Sequence, residues 1–264
     1  MATRTTTVGD VLRDWRGRRR LSQLELAGEA EVSSRHLSFV ESGRAAPSRE
    51  LLLRLAQPLA MPLREQNRLL LAAGYAPMHG EQALEAPDMV AALTAVEAIL
   101  RAHAPFPALA VDRHWNLVRA NDAATAMLSG VDPMLLAPPI NVLRATLHPK
   151  GLAARIANLT EWRHHLLARL RVDSDRSGDP ELAALHTELA RFPCPVSRQP
   201  AGSFASIAVP LAIHSEAHGQ VLSFLSTTTV FGTATDVTLA ELTLECFYPA
   251  DDATRHALLS VPRP

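Results

Sequence analysis

The segment 22-SQLELAGEAEVSSRHLSFVESGR-44 determines the fold of the N-terminal part of this chain. Ser22 is followed three residues later by Glu25, a capping-box pattern that predicts a helix over 22–30. The stretch 33–41 repeats apolar residues at helical spacing ahead of a glycine, so a second helix is predicted there. Two short helices joined by a tight turn form a helix-turn-helix pattern.

The two predicted helices have matching apolar faces. Leu26, Ala27 and Ala30 of the first helix can pack against Leu37 and Val40 of the second. Ala27 is small at the point where the two helices must approach closely. The spacing therefore predicts a packed helix pair rather than two independent helices.

The outward face of the second helix is polar apart from one ring. Ser34, Arg35 and Ser38 lie on this face, and Phe39 borders it. Side chains of this size fit the major groove of DNA, which is about 12 Å wide. We expect this face to meet DNA.

Further helices complete an all-α N-terminal domain. Apolar residues at helical spacing predict a helix from Val8 onward, Ser48 is a predicted N-cap of another, and 64–73 is predicted to be helical up to Gly74. Together with the helix pair these make five helices. We assign residues 1–75 to this helix-turn-helix domain.

The segments SQLELA (22–27) and VSSRHLSFVESGR (32–44) resemble the DNA-binding domain of XRE-type regulators, relatives of the lambdoid phage repressors. The resemblance implies that the domain binds double-stranded operator DNA with a recognition helix in the major groove. The residues that it places at the DNA are Gln23, Ser33, Ser34, Arg35, Ser38, Phe39 and Arg44, with Arg16 and Arg20 as additional phosphate contacts.

Several of these assignments have alternatives. Arg16 and Arg20 are equally compatible with a solvated basic face. Arg35 is the candidate for a bidentate contact with guanine, whereas Phe39 either packs on a thymine methyl group or folds back to brace Arg35. Glu31 occupies the turn where the family often has glycine, and a left-handed backbone there would cost on the order of 1 kcal/mol.

The remainder of the chain differs in charge and composition. Residues 1–75 contain 12 Arg and 8 acidic residues, a net charge of +4, whereas residues 76–264 carry a net charge of −5. This asymmetry favours contact of only the first part with phosphate. The segment 76–87, rich in Pro, Gly and Ala, is predicted to be a linker to a second domain over 88–264.

The second domain is predicted to be α+β. The segment 108–121 alternates apolar and polar residues around a turn at Asp112, as a β-hairpin does. Helical patterns follow, including one over 152–172. Three strand-like stretches and a last helix end the chain, at 203–215, 219–232, 236–251 and 252–259. This order describes an antiparallel sheet covered by helices on one face.

Five segments of this domain resemble the MmyB-like ligand-binding domain of a family of regulators, and members of this family join an XRE domain to a PAS-like sensor fold. They are WNLVRAN (115–121), NVLRATLHPKGL (141–152), NLTEW (158–162), FGTATDVTLAEL (231–242) and CFYPAD (246–251). The resemblance spans about residues 90–260. It implies a ligand-binding and dimerisation domain, with a fatty acid or another apolar small molecule as the effector.

Candidate ligand-binding residues are of two kinds, because pockets are mainly apolar with a few orienting polar groups. The aromatic candidates are Trp115, Trp162, Phe224 and Phe231, and the polar ones are Asn121, Arg144 and His148. Each has a structural alternative: the aromatic rings as core residues, the asparagine as a helix N-cap, and the other two as hydrogen-bonding groups within the domain.

Other classes of protein find little support in the sequence. No apolar run approaches the ~20 residues of a membrane span, and residues 1–10 lack the apolar core of a secretory signal. GxSxG, HExxH, P-loop and GxGxxG motifs are absent, so we predict no catalytic residues, no metal site and no enzyme. Cys194 and Cys246 form no disulfide framework, which favours the cytoplasm; Cys246 is predicted to be buried, and Cys194 remains a candidate redox-sensing thiol.

The sequence thus predicts a cytoplasmic transcription regulator that binds operator DNA as a homodimer and responds to an apolar small molecule. One alternative is a regulator without a ligand, whose second domain only dimerises or binds a partner protein. Another is an antitoxin-like protein-binding module, which the long second domain disfavours.

Overall fold

The computed structural model describes residues 6–195 and 209–260. The chain divides into two compact units. The first contains the residues up to Glu81 together with Asp175–Gly178 and Ala234–Val237, and the second contains the rest of the chain. In the described part of the chain, no helix is long and apolar enough to cross a membrane.

Five helices form the first unit, as predicted. They are α1 (Val8–Arg19), α2 (Gln23–Glu29), α3 (Ser34–Glu41), α4 (Arg49–Ala56) and α5 (Leu63–Ala72). The predicted capping box at the start of α2 is confirmed, because the Ser22 side chain accepts from the Glu25 backbone N–H and the Glu25 carboxylate accepts from the Ser22 N–H. Ser48 caps α4 in the predicted manner.

The helix pair packs as its apolar pattern predicts. Leu26, Ala27 and Leu37 are fully buried in one core with residues of α1, α4 and α5. Gly9 lets α1 approach α3 closely, since a Cβ atom at that position would lie 2.1 Å from the carbonyl oxygen of Glu41. The position of α3 thus depends on a residue without a side chain in α1.

The beginning of the segment predicted to be a linker is bound to α5. The buried Asn67 side chain accepts hydrogen bonds from the backbone N–H groups of Met78 (2.9 Å) and His79 (3.0 Å), and donates to the His79 carbonyl (2.8 Å). A side-chain amide thereby replaces backbone pairing for a stretch without secondary structure. These hydrogen bonds tie residues 78 and 79 to α5, and the first unit extends to Glu81.

Seven α-helices and five strands follow Glu81 in the described part of the chain, together with two short 3-10 helices. The helices are α6 (Met89–Ala102), α7 (Asp122–Met127), α8 (Val142–Leu147), α9 (Leu159–Ser177), α10 (Pro180–Leu189), α11 (Val237–Ala240) and α12 (Asp252–Leu259). The strands are β1 (Ala108–Val111), β2 (Leu117–Ala120), β3 (Leu211–Ser215), β4 (Gln220–Val230) and β5 (Thr243–Pro249).

All five strands belong to one antiparallel sheet in the order β2-β1-β5-β4-β3. The central strand is β5, which pairs with β1 from more than a hundred residues away in the chain. The α+β fold class, with an antiparallel sheet and covering helices, is confirmed.

The predicted hairpin at 108–121 is confirmed, with its turn after Val111. The Asp112 carboxylate accepts from the backbone N–H groups of His114 and Asn116, both at 2.8 Å. Trp115 adopts φ = 66°, a left-handed conformation that is a genuine outlier for a bulky side chain. The turn therefore holds this indole in a strained backbone setting.

The sheet is covered on both faces near its centre, which corrects the expectation of a single covered face. One face packs against α8, α9 and α10 in the larger core cluster. On the other face, α6 buries Val96 and Leu100 against Ala108, Leu244 and other residues of β1 and β5. Because successive side chains of a strand point to opposite faces, apolar residues of β5 enter the second cluster at alternate positions.

The prediction of one helix over 152–172 is wrong. Residues Leu152–Arg155 form a short 3-10 helix, and the chain is then extended before α9 begins at Leu159. Ile156 bridges to Ile213 of β3, and the Asn158 side chain accepts from the Ala212 N–H and donates to the Pro210 carbonyl. These long-range bonds outweigh the local helical preference.

The predicted strand boundaries also need correction. The stretch 236–251 begins with the single turn α11, and only Thr243–Pro249 is a strand. Of the predicted strand 203–215, Leu211–Ser215 forms β3, while residues 203–208 lie outside the described residues. The predicted last helix is confirmed as α12.

Candidate nucleic-acid interface and ligand cavity

The outward face of α3 carries the residues predicted to read DNA. Ser33 is the N-cap and accepts from the His36 N–H at 3.2 Å. Ser34 and Arg35 are exposed, and Ser38 is half-buried. The structure therefore places these four predicted contacts, from the cap to the middle of the helix, on or beside one polar face, and their DNA contacts stay predictions.

Phe39 lies between two guanidinium groups. The Cζ atom of Arg35 is 5.4 Å from the ring centroid and that of Arg44 is 4.8 Å away, both within cation–π range. Arg44 follows α3, and its backbone N–H donates to the Phe39 carbonyl at 2.8 Å. One half-buried ring thus fixes two cations on the predicted DNA surface.

A buried carboxylate organises the other side of the helix pair. Glu41 is 3% exposed and accepts two hydrogen bonds from Arg16, at 2.8 and 3.0 Å, and one from the Gln23 amide at 2.7 Å. The Glu41 hydrogen bond raises the pKa of Arg16 despite the desolvation of its guanidinium. Arg16 and Gln23, both predicted DNA contacts, therefore also have a structural role as hydrogen-bond donors to Glu41.

Glu41 was missed in the sequence, although a signal for it exists. It lies four residues after Leu37 and one after Val40, on the inward face of α3. A carboxylate on a buried face requires a charged or hydrogen-bonding partner, and the polar residues of α1 offered one.

The turn between α2 and α3 has the left-handed geometry that the pattern requires. Glu31 adopts φ = 54°, and the Val32 N–H donates to the Ala27 carbonyl at 2.9 Å. Arg20, a predicted phosphate contact, is exposed at the C-cap of α1 with φ = 56°. Both residues thus adopt a backbone conformation that glycine would accept at lower cost.

The second unit contains a cavity of about 70 Å³ between the sheet and helices α7 to α9. Its walls are mostly apolar, and Trp115 and Trp162 are among them. The other lining residues include Leu109, Leu117, Ala124, Met127, Leu128, Ile140, Leu143, Thr146, Leu166, Arg169, Ser226, Glu245 and Phe247. An apolar cavity with few polar groups is the general form of a small-molecule site.

One wall of the cavity carries a buried ion pair that the sequence did not reveal. Arg169 of α9 donates to the Glu245 carboxylate at 2.6 Å, and the Thr228 hydroxyl donates to the same oxygen at 3.1 Å. The Arg169 guanidinium also stacks over the Trp115 ring at 4.6 Å. The alternation of side chains along β5 indicates that Glu245 and Leu244 lie on opposite faces of the sheet. The partner of Glu245, Arg169, is 76 residues away in the chain, so the sequence did not indicate the pair.

Trp162 forms a second polar feature of the cavity. Its side chain is buried and stacks on His165, with ring centroids 5.3 Å apart. Among the described residues, nothing accepts a hydrogen bond from the Trp162 Nε1–H. Burial, and then the charge of Arg169, lower the pKa of His165.

The remaining predicted ligand residues lie away from this cavity. Asn121 is the N-cap of α7, which confirms the structural alternative given for it above. Its amide also donates to the carbonyls of Leu100 and Phe106. Arg144 forms a bidentate ion pair with Glu188 at 2.7 and 2.8 Å.

His148, Phe224 and Phe231 likewise have structural neighbours. The His148 ring contacts the ring of Phe192 edge-on. Phe224 is fully buried in the larger core cluster, and Phe231 packs against the cluster on the opposite face of the sheet. Trp115 and Trp162 are thus the two aromatic candidates that the structure brings together at one cavity.

The two cysteines differ in environment. Cys246 is buried, as predicted, and burial raises the pKa of its thiol. Cys194 is half-buried, with its sulfur 3.7 Å from the Thr160 hydroxyl. Over residues 6–195 and 209–260, no group of three His, Cys, Asp or Glu side chains is placed to hold a metal ion.

Comparisons with known proteins agree with both halves of the structure. The model of a helix-turn-helix domain matches residues 7–69, and the model of the MmyB-like transcription regulator ligand binding domain matches residues 92–260. No curated protein matches the chain. A crystal structure of the clp gene regulator ClgR from Corynebacterium glutamicum is similar at 25% identity over 38% of this chain and 94% of that one, with a TM-score of 0.23, which is too low to support an argument from shape.

The second of these models covers more than half of the chain, including the whole sheet and the cavity. The helix-turn-helix model covers α1 to α4 and most of α5. This chain therefore belongs to the family of transcription regulators with an MmyB-like ligand-binding domain, joined to an N-terminal helix-turn-helix DNA-binding domain.

Proposed function

We propose that this regulator binds operator DNA through α3 and that its effector is an apolar, fatty-acid-like small molecule held in the cavity of the second unit. The cavity itself is the observation that carries the proposal. Its walls are almost entirely aliphatic and aromatic side chains, with one buried ion pair. Such a site favours burial of hydrocarbon over binding of a strongly hydrated molecule.

The size of the cavity suggests how an effector would act. About 70 Å³ is roughly half of the ~150 Å³ cavity that accommodates benzene in another protein. A longer hydrocarbon must therefore move lining side chains, and unbranched Met127 is suited to such repacking. Because the ligand would bind only the enlarged state, it would shift the population of the second unit toward that state.

On the DNA side we propose a homodimer. Two copies of α3 about 34 Å apart would match a near-palindromic operator, with Arg35 as the principal base contact. Support comes from the polar face of α3 and from the +4 charge of residues 1–75. Footprinting is expected to show two protected half-sites one helical turn apart, and protection of a single half-site would contradict the dimer.

The ligand is tested by native mass spectrometry of gently purified full-length protein. A co-purifying apolar molecule is expected, and Ala124→Leu should remove it because Ala124 lines the cavity. The matched control is Ala126→Leu, an exposed position on the same helix α7. A clean apo mass in both variants and in the wild type would favour the alternative of a ligand-independent regulator.

A further inference from the structure

The polar groups of the cavity restrict the chemistry of a bound molecule more than its apolar walls do. Among the described lining residues, only Arg169 and Glu245 are charged, and they are paired at 2.6 Å. The Glu245 side chain is 6% exposed and the Arg169 side chain 22% exposed. Both charges are already compensated before any ligand enters.

A carboxylate entering this cavity would meet an unfavourable balance of charge. It would place two anions beside one guanidinium in a poorly hydrated site, and like charges that close disfavour ionisation. Burial, and then the neighbouring charge of Arg169, lower the pKa of His165, which stacks on Trp162, and so disfavour a compensating positive charge there. The charges of the site therefore disfavour an ionised head group.

Among the described residues that line the cavity, one buried hydrogen-bond donor lacks an acceptor. The indole Nε1–H of Trp162 is a donor only, and it has no acceptor within the described part of the chain. Buried donors in folded proteins nearly always have a partner, which is protein, water or ligand. Trp162 is one of the residues that line the cavity, so a molecule bound there would lie beside this side chain.

Resting on the ligand-sensing function proposed above, we infer that the effector is a neutral molecule whose hydrocarbon part fills the cavity and whose single uncharged oxygen accepts a hydrogen bond from Trp162 Nε1. Ketones, esters, lactones and un-ionised acids belong to this class. The Arg169–Glu245 pair is the element that selects against the carboxylate form.

Three probes with seven carbon atoms separate the contributions of hydrocarbon, neutral oxygen and charge to binding: heptane, heptan-2-one and heptanoate. They are titrated into the full-length protein by calorimetry at about pH 8, where a carboxyl group with a pKa near 4.3 is ionised. The ketone is expected to bind at least tenfold more tightly than either of the others. Tightest binding of heptanoate, or equal binding of heptane and the ketone, overturns the inference and leaves the apolar ligand site standing.

Two conservative variants assign the effect to residues. Trp162→Phe keeps an aromatic side chain but lacks the N–H, so the preference for the ketone over heptane should be lost. Trp115→Phe is the matched control, because Trp115 lines the same cavity and a phenyl ring still supports Arg169. If both variants abolish the ketone preference equally, the assignment to Trp162 is wrong.

Glu245→Gln tests the charge selection independently. It removes one anion while keeping the shape of the side chain, so heptanoate affinity should rise at least tenfold as Arg169 becomes available. Unchanged exclusion of heptanoate would refute the role of the ion pair. If none of the three probes binds to the wild type, the proposed ligand-sensing function itself fails.

Discussion

Gly9→Ala should destabilise the helix-turn-helix unit although it changes the surface of the protein very little. Gly9 is buried in α1 where that helix crosses the end of α3. An added Cβ would lie 2.1 Å from the Glu41 carbonyl oxygen and 3.1 Å from its Cα. These are backbone atoms, so no flexible side chain can move aside.

The magnitude follows from the distance that must be recovered. Cβ atoms essentially never approach a heavy atom closer than 3.0 Å, so α1 and α3 must separate by about 0.9 Å. Displacements of this kind in a packed core typically cost about 1–3 kcal/mol. That loss outweighs the gain of about 0.5–1 kcal/mol expected when alanine replaces glycine in a helix.

Gly17→Ala is the matched control. Gly17 lies in the same helix, is exposed, and has no heavy atom within 4 Å of the added Cβ. This variant should be stabilised by about 0.5–1 kcal/mol, because only the propensity gain applies.

Hydrogen exchange measured by mass spectrometry on the full-length protein resolves the two effects. Amides of α1 and α3 should exchange faster in Gly9→Ala, by about tenfold for each 1.4 kcal/mol lost, and more slowly in Gly17→Ala. Equal exchange in the two variants, or protection in Gly9→Ala at the level of the wild type, would refute the close approach as the reason for this glycine.

Three further predictions concern single contacts. Phe39→Ala should weaken operator binding at all base positions by up to about thirtyfold, because the two cation–π contacts of about 0.5–1 kcal/mol each that hold Arg35 and Arg44 in place before DNA binds are lost. Fluorescence anisotropy with operator variants measures this, and loss of preference at one A·T pair alone would show instead that the ring reads a thymine. Glu31→Gly should raise the stability of the first unit by up to about 1 kcal/mol in urea unfolding, because the left-handed backbone is then unstrained; destabilisation would contradict this. Hydrogen bonds from Arg144 lower the pKa of Glu188, so stability from this pair is present above about pH 4.3 and lost as pH falls through the depressed pKa; Glu188→Gln should cost under about 1 kcal/mol at pH 7 for this half-exposed pair and nothing at about pH 2.

Local signals in the sequence were reliable where short-range contacts set the structure. Helix caps such as Ser22, Ser48 and Asn121 each bond a backbone N–H three residues away. The apolar spacing of the helix pair and the alternation of the hairpin are of the same kind. In each case the decisive partner lies within a few residues, so the pattern is visible in the chain itself.

Sequence patterns failed to predict the structure where a contact with a residue far away in the chain determines it. The helix expected over 152–172 is interrupted at Ile156 and Asn158, which bond to β3 more than fifty residues away. Sequence reasoning identified only part of the cavity lining, namely Trp115 and Trp162, and it did not identify Arg169 and Glu245. Neither charge is conspicuous until the fold brings α9 against β5.

The sequence by itself determined the helix-turn-helix and the α+β class, since these depend on periodicity and caps that repeat over short distances. Tertiary structure alone decided which polar side chains are buried together. Glu41 accepts hydrogen bonds from Arg16 and Gln23, and Glu245 accepts one from Arg169. A buried carboxylate is costly unless such a partner compensates its charge, and the fold alone determines which residue lies close enough.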